Sequence, residues 1–235
     1  MAVNEQLPKH IAVIMDGNRR WARQHAFQVA LGHRKGVEAV RTIVRECDHL
    51  GIRVLSLYAF STENWQREKR EVDTLMALLQ EFFTSDIDEL DEKNVRICIL
   101  GVKERLPEMQ RATVTRCEER TKNNTGLQLN IAINYGARDE ILRMVRRMCS
   151  DVSAGRIDPD KIDEEMIESR LDTAGQPDVD LLIRTSGEMR LSNFLLYQCA
   201  YAEFYFTPVL WPDFGVEELH GALEEFAHRQ RRHGS

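Results

Sequence analysis

The sequence predicts an α/β fold in one domain, built on a mainly parallel sheet with helices on both faces. Three observations carry this expectation. Six short apolar or β-branched runs alternate with longer amphipathic ones, the pattern of strands joined by crossover helices. The 235 residues contain no internal repeat, low-complexity tract or long linker, so residues 1–235 are expected to form a single unit. A chain of this length buries roughly 70–75% of its unfolded surface, enough for one sizeable core.

Along the chain, the first strand is expected over Ile11 to Met15; it breaks at Asp16-Gly17-Asn18 and the chain reopens as a helix. Val37, Val40, Val44 and Cys47 recur at helical spacing and mark the next helix. Val54 to Ala59 reads as a strand, and Val72, Leu75, Leu79 and Phe82 as the apolar stripe of the helix after it. The acidic run Asp86 to Asp91 reads as a solvated helix face. Strands at Val95 to Leu100 and Leu127 to Ile133 flank a helix from Met109 to Lys122. A helix bearing Ile141, Met144, Val145 and Met148 leads to strands at Leu181 to Arg184 and Glu203 to Phe206, and a helix from Val216 to Arg231 comes last. Ligands of such sheets bind beyond the carboxyl ends of the strands, where three polar clusters fall.

Composition narrows the classes of function. The net charge is −6 and the isoelectric point about 5.7, so an anion must be met by a local basic cluster and nucleic acid is not expected as a partner. The five cysteines are far apart and form no CxxC pair, which argues against zinc or redox chemistry. No stretch approaches about 18 consecutive apolar residues, and Glu5, Pro8 and Lys9 interrupt the N-terminus where a signal peptide needs an apolar run. A cytoplasmic protein is expected, with its basic tail, His228 to His233, serving solubility or touching anionic lipid at the inner membrane face.

The first cluster is Asp16-Gly17-Asn18-Arg19-Arg20-Trp21. Free backbone N–H groups at a helix start and two guanidinium groups attract a phosphate or diphosphate. Asp16 would be repelled by that phosphate unless a divalent cation lay between them, and oxygen-rich sites of this kind suit Mg²⁺. The plainer reading is a strand–loop–helix turn with Asn18 as the cap. The second cluster, Phe60-Ser61-Thr62-Glu63-Asn64-Trp65-Gln66-Arg67, offers groups that bind a polar head and stack on an apolar tail, or simply cap a helix. The third, Arg184 to Asn193, brings Arg184, Arg190 and Ser192 to a loop that turns at Gly187, suiting a second phosphate or a surface salt bridge.

Together the clusters resemble the cis-prenyltransferases, the undecaprenyl diphosphate synthase family, over nearly the whole chain. The matching segments are HIAVIMDGNRRWA at 10–22, GH at 32–33, YAFSTENW at 58–65, LNIAINYGARDEI at 129–141, DLLIRTSGEMRLSNFLLYQ at 180–198 and AYAEFYFTPVLWPDF at 200–214. The resemblance implies a six-stranded parallel sheet surrounded by helices, a homodimer and Mg²⁺ dependence. The implied reaction joins an allylic diphosphate, commonly farnesyl diphosphate, to successive isopentenyl diphosphates, each step making a Z double bond. Residues matching Gly17, Asn18, Arg20 and His33 would hold the allylic diphosphate, and Arg184, Arg190 and Ser192 the isopentenyl diphosphate. Arg19, Trp21, Ser61, Thr62, Glu63, Trp65, Arg67 and Leu191 complete the candidate binding set. Asp16 and Glu203 match the metal-linked carboxylates, Glu203 from the partner subunit's side. Asn64 matches the residue placed near the proton that leaves C2; an amide is a weak base, so a diphosphate oxygen or Asp16 is the better final acceptor.

Other classes fit less well. The chain lacks GxxxxGK and GxGxxG, and the run Asp86 to Asp91 lacks the adjacent aspartate pair of trans-prenyl synthases. A non-catalytic accessory subunit of the same fold is disfavoured because Asp16, Asn64, Arg184, Arg190 and Glu203 are all present. Four positions depart from the family pattern: Val29 replaces an arginine for the allylic diphosphate, Glu68 a frequent proline, Met189 a frequent histidine and Tyr197 a common tryptophan. The growing product needs a dry tunnel between sheet and helices, expected to be lined by Ala59, Leu75, Leu78, Leu79, Phe82, Ile99, Leu127 and Ile131, with Leu127 among the residues that limit chain length. A long-chain product is expected, with a short-chain synthase as the alternative.

Overall fold

All six expected runs are strands in the computed structural model, which describes residues 7–229. Arg231 of the last expected helix, and the tail beyond Arg229, lie outside the described residues. The strands are β1 (His10–Ile14), β2 (Val54–Ser61), β3 (Arg96–Leu100), β4 (Gln128–Tyr135), β5 (Leu181–Arg184) and β6 (Glu203–Phe206). They form one sheet in the order β3-β4-β2-β1-β5-β6, and every neighbouring pair is parallel. β1 is central and buried along its whole length, which is why it reads as an unbroken apolar run. β2 and β4 run about two residues further than their apolar patterns suggest. Register shifts between Tyr58 and Phe60 and again before Ser61 let these ends bend away from the ladder and carry side chains toward the sheet's carboxyl edge.

The helices are α1 (Asn18–Gln24), α2 (Val29–His49), α3 (Lys69–Ser85), α4 (Ile87–Glu92), α5 (Glu108–Thr121), α6 (Ala137–Ser153), α7 (Glu164–Glu168) and α8 (Val216–His228). One sheet face, built from alternate residues such as Ile11, Val13, Leu55, Leu57, Leu129 and Ile131, packs under α2, α3, α5 and α8 in the main core. The other face is covered differently. Ala12, Ile14, Ala132 and Leu182 lie under Phe194, Leu195 and Cys199 of an irregular segment, and Met144, Met148 and Leu171 join α6 and α7 to Tyr197 of that segment. The amino end of this second face is polar, and its groups satisfy one another. His10 donates from Nδ1 to the Pro177 carbonyl (2.8 Å) and accepts at Nε2 from the Ser56 hydroxyl (2.7 Å). Asn130 Nδ2 donates to Ser56 Oγ (2.8 Å) and to Gln176 Oε1 (2.6 Å). The carbonyl of Pro177 can only accept, which fixes the tautomer. Among the described residues no helix is long and apolar enough to cross a membrane.

Candidate active site

The carboxyl ends of β1, β2 and β5 converge, and with them the three clusters. Asp16 follows β1, and its backbone is pinned on both sides: its N–H donates to Thr185 Oγ1 (3.0 Å), and its carbonyl accepts from the Thr185 hydroxyl (2.6 Å) and from Trp211 N (3.0 Å). Gly17 then turns with φ 115°, and a Cβ there would stand 3.0 Å from Leu210. A left-handed turn against a packed leucine requires glycine, and it starts α1 at Asn18 directly beyond the strand. Arg184, the last residue of β5, is 3% exposed. Its Nη2 donates to Asp16 Oδ2 (2.9 Å) and its Nη1 to Ser192 Oγ (2.7 Å) and to the Arg190 carbonyl. Arg20 reaches the same loop, donating to the Ser186 carbonyl (2.7 Å) and to Glu188 (3.2 Å), and Glu188 also accepts from Arg190. Glu188 thus ties the first cluster to the third. Its carboxyl lies below the usual range because Arg190 donates to it, with Arg20 adding to the effect.

These groups line a cleft with two lobes. The larger, about 530 Å³, is lined by Asp16, Asn18, His33, Tyr58, Ser61, Glu63, Asn64, Arg67, Arg184, Ser192 and Asn193. The smaller, about 300 Å³, is lined by Gly17, Arg19, Arg20, Arg23 and Arg67 together with Asp16, Asn18 and His33. Four arginines against the one carboxylate that lines it give the smaller lobe the local positive charge an anion would need. Asn18 Oδ1 and Arg184 Nε are buried without a hydrogen-bond partner in the protein. Buried polar atoms left open in this way are costly except where a ligand or water meets them.

Below the lobes lies an apolar recess of about 110 Å³ between β2, α2 and α3. It shares Met15, Asn18, His33, Tyr58, Ala59 and Leu75 with the larger lobe. Six residues of the expected tunnel line it: Ala59, Leu75, Leu78, Leu79, Phe82 and Ile131. Ile99 and Leu127 do not. Leu127 precedes β4 at the amino end of the sheet and is packed in the core, 2% exposed, so the expectation that it limits chain length has no support in its position.

The second cluster makes the helix cap weighed for it, and Ser61, Glu63, Asn64 and Arg67 also line the larger lobe. Ser61 and Asn64 form a reciprocal cap on the 3₁₀ turn Thr62–Gln66, with the Ser61 N–H donating to Asn64 Oδ1 (3.1 Å), yet both residues also line the cleft. Trp65 is turned away, donating to Asn134 Oδ1 (2.8 Å) and meeting Phe60 edge-on at 4.8 Å. Trp21 likewise points elsewhere: its Nε1 donates to Asp213 (2.7 Å) and its ring stacks on His25 at 4.3 Å. Leu191 packs with the second-face core, and Thr62 and Arg190 do not line either lobe. Glu203 stands beside Leu181, at the opposite end of the sheet from Asp16, and accepts from Arg229 (3.1 Å). One chain therefore does not bring the two carboxylates together.

Glu71 was not among the expected residues. From the first turn of α3 its carboxylate accepts from Arg67 (2.9 Å) and His33 Nε2 (3.3 Å) and lies 3.8 Å from Arg19. The sequence signal was the Arg67–Glu71 spacing of four, which reads as an ordinary helical ion pair. His33 is 5% exposed, and burial lowers its pKa despite the opposing hydrogen bond it donates to Glu71, so a neutral imidazole faces the cleft at pH 7. Val29 opens α2 half-buried and lines neither lobe, whereas Arg19 and Arg23 both line the smaller one.

The comparisons with known proteins agree with this geometry. Residues 14–234 match the model of the undecaprenyl diphosphate synthase family. The isoprenyl transferase of Clostridium perfringens is 49% identical over 232 residues, covering 99% of this chain and 92% of that protein. A crystal structure of lavandulyl diphosphate synthase from Lavandula x intermedia, in complex with dimethylallyl diphosphate, superimposes with a TM-score of 0.96 at 39% identity, covering 99% of this chain and 100% of that one. A Campylobacter jejuni structure described as a probable undecaprenyl diphosphate synthase gives a TM-score of 0.79 at 37% identity, with 97% and 99% covered. The fold, the cleft and these matches agree: the chain belongs to the undecaprenyl diphosphate synthase family of prenyl-group transferases.

Proposed function

We propose that this enzyme condenses an allylic diphosphate, farnesyl diphosphate by expectation, with successive isopentenyl diphosphates and forms a Z double bond at each step. The observation that carries the reading is the Asp16 carboxylate, which lines both a lobe ringed by Arg19, Arg20, Arg23 and Arg67 and a lobe holding Arg184 and Ser192, beside an apolar recess. Two diphosphates must be held side by side while one leaves, and the hydrocarbon they share must go somewhere dry. Arg19, Arg20, Arg23 and Arg67, with the backbone at Gly17 and Asn18, suit the allylic diphosphate. Arg184 and Ser192 face the larger lobe beside Asp16 and suit isopentenyl diphosphate. The C3–C4 double bond of isopentenyl diphosphate attacks C1 of the allylic chain, the C1–O bond breaks, and a proton leaves C2. The fixed guanidinium groups stabilise charge on the departing diphosphate. Asn64 can orient the reacting carbon, and a diphosphate oxygen takes the proton.

The donor set fits Mg²⁺ bound through substrate. Among the described residues no three acidic, histidine or cysteine groups form a cage. Asp16 alone presents a carboxylate to both lobes, and Mg²⁺ is commonly held by one or two carboxylates together with substrate phosphates. Such an ion would supply positive charge to the leaving diphosphate oxygens. Glu203 lies too far away within one chain, so we assign its contribution to a partner's site in a homodimer. Cytoplasmic action with peripheral contact at the inner membrane face belongs to the same proposal, because a long apolar product must pass into lipid.

For the product we propose a long-chain Z-polyprenyl diphosphate such as undecaprenyl diphosphate, a lipid carrier for cell-wall synthesis. A short-chain product is the second reading. It is favoured by the recess, whose volume of about 110 Å³ lies under the roughly 300–1,000 Å³ of common ligand pockets, and by the likeness to a structure holding dimethylallyl diphosphate. Incubating the protein with labelled isopentenyl diphosphate, Mg²⁺ and either dimethylallyl, geranyl or farnesyl diphosphate, then sizing the products, decides. A ladder ending beyond farnesyl length supports the first reading, one or two additions the second. No incorporated label would leave the protein an accessory subunit.

A further inference from the structure

Three segments distant in sequence meet at Asn193. Its main-chain carbonyl accepts from Ala137 N (2.8 Å), its Oδ1 accepts from Arg138 N (2.9 Å), and its Nδ2 donates to Glu63 Oε1 (3.2 Å). One side chain thus closes the first turn of α6 and reaches across to the Thr62–Gln66 turn. Gly136 is shaped to let it pass. Its backbone is extended (φ −159°), a conformation open to any residue, yet a Cβ there would lie 2.7 Å from Asn193 Nδ2 and 2.9 Å from Thr62 Oγ1. The space, not the backbone angle, demands glycine.

Ser192 and Asn193 are both left-handed, with φ 48° and 64°. Asparagine tolerates that region and serine much less so, so the pair keeps its shape only if its surroundings hold it. The holding contacts are visible: the Ser192 carbonyl accepts from the Tyr58 hydroxyl (3.4 Å), its Oγ accepts from Arg184 (2.7 Å), and Asn193 supplies the three bonds above. Asn193 itself lines the larger lobe.

We propose that Asn193 is a positioning residue, locking Ser192 and Arg184 in register with the Ser61–Arg67 segment across the cleft. The inference rests on the assignment of Ser192 and Arg184 to isopentenyl diphosphate made above. It predicts that polarity at the Asn193–Glu63 contact matters more than size. Asn193→Asp keeps an acceptor for Arg138 N but sets a carboxylate against Glu63, and Glu63→Gln in the same chain restores a donor–acceptor pair in the opposite sense.

The test is a cycle of parent, N193D, E63Q and the double variant. Each is read by KM for isopentenyl diphosphate against kcat, by thermal melting, and by hydrogen exchange in peptides covering 61–67 and 136–140. N193D is expected to raise KM for isopentenyl diphosphate about tenfold or more, with a smaller change in kcat. It should also speed exchange across 61–67, and the double variant should regain at least half of each effect on a logarithmic scale. Should N193D melt well below the parent, Asn193→Gly takes its place: glycine accepts the left-handed backbone and removes both side-chain bonds, and a parental KM with unchanged exchange at 61–67 in that variant overturns the proposal. An N193D enzyme with parental KM, or a double variant no better than N193D, overturns the proposal. If the parent incorporates no isopentenyl diphosphate, the functional reading fails instead, and exchange alone judges the lock: unchanged exchange at 61–67 in N193D overturns it.

Discussion

Acid should destabilise this protein through His10, and the structure sets how strongly. The imidazole is fully buried between the Pro177 carbonyl and the Ser56 hydroxyl. Burial lowers its pKa from 6.5 to about 4, against the opposing pull of the Pro177 carbonyl and the Asp180 charge. Protonation of Nε2 would also put an N–H where the ring now accepts from Ser56. Above pH 6.5 the folded and unfolded chains both carry a neutral His10, and nothing is lost. Between pH 6.5 and about 4 the unfolded chain takes up a proton that the folded chain refuses, so stability falls by about 1.4 kcal/mol per pH unit. The gap of about 2.5 between the two pKa values makes the full loss about 3 kcal/mol, levelling off below pH 4. That is a large part of a typical folding stability of roughly 5–15 kcal/mol. Urea unfolding at several pH values between 7.5 and 4.5 measures it, with His10→Asn as the comparison because it keeps a donor near Pro177 and does not titrate. The variant should be less stable at pH 7 but lose about 2 kcal/mol less than the parent on going to pH 5. Equal pH slopes for the two proteins would refute the reasoning.

Two further outcomes concern the substrates. Val29→Arg should lower KM for the allylic diphosphate with little change for isopentenyl diphosphate, since a charged hydrogen bond contributes about 1.5–3 kcal/mol; an unchanged constant would mean that Arg19 and Arg23, which already line that lobe, compensate. Ala59→Leu should shorten the products, because Ala59 borders both the larger lobe and the recess, and Phe82→Ala should lengthen them by enlarging the recess. Identical product ladders for both variants and the parent would show that the chain grows elsewhere.

The sheet was legible because strands such as β1 and β5 are buried along their whole length and so appear as short apolar runs: β5 begins and ends where the residues suggest and β1 differs by one position, while the half-buried edge strand β6 matches its aromatic run. Helices α2, α3, α6 and α8 announced themselves by apolar residues at helical spacing, while α7 has only five residues, too few for that period to show. The irregular cover over the second face carries Phe194, Leu195 and Cys199 without any period, and only the folded chain reveals what it covers. For the site, the motifs located Asp16, Arg184 and Ser192 because unusual residue types follow strand ends. Side-chain direction was not legible. Trp21 and Trp65 sit inside those motifs yet turn to Asp213 and Asn134, and Leu127 is apolar for the core and not for the recess. Glu71 and Asn193 were visible only as an ordinary helical ion-pair spacing and as the last residue of the third cluster; the partners each gathers from far away in sequence, His33 and Arg19 for one and Glu63 and Arg138 for the other, appear only in the folded chain.

The central claim is that Asp16, which lines both lobes of the cleft, governs prenyl transfer. Asp16→Asn tests it most directly, because asparagine still offers Arg184 an oxygen acceptor while removing the charge. Initial rates of labelled isopentenyl diphosphate incorporation, with saturating allylic diphosphate and Mg²⁺, should fall by about three orders of magnitude, the effect of losing about 4 kcal/mol of charge stabilisation at the leaving diphosphate. Thermal melting should stay close to that of the parent. An Asp16→Asn enzyme that folds and turns over at near-parental rate would contradict the account.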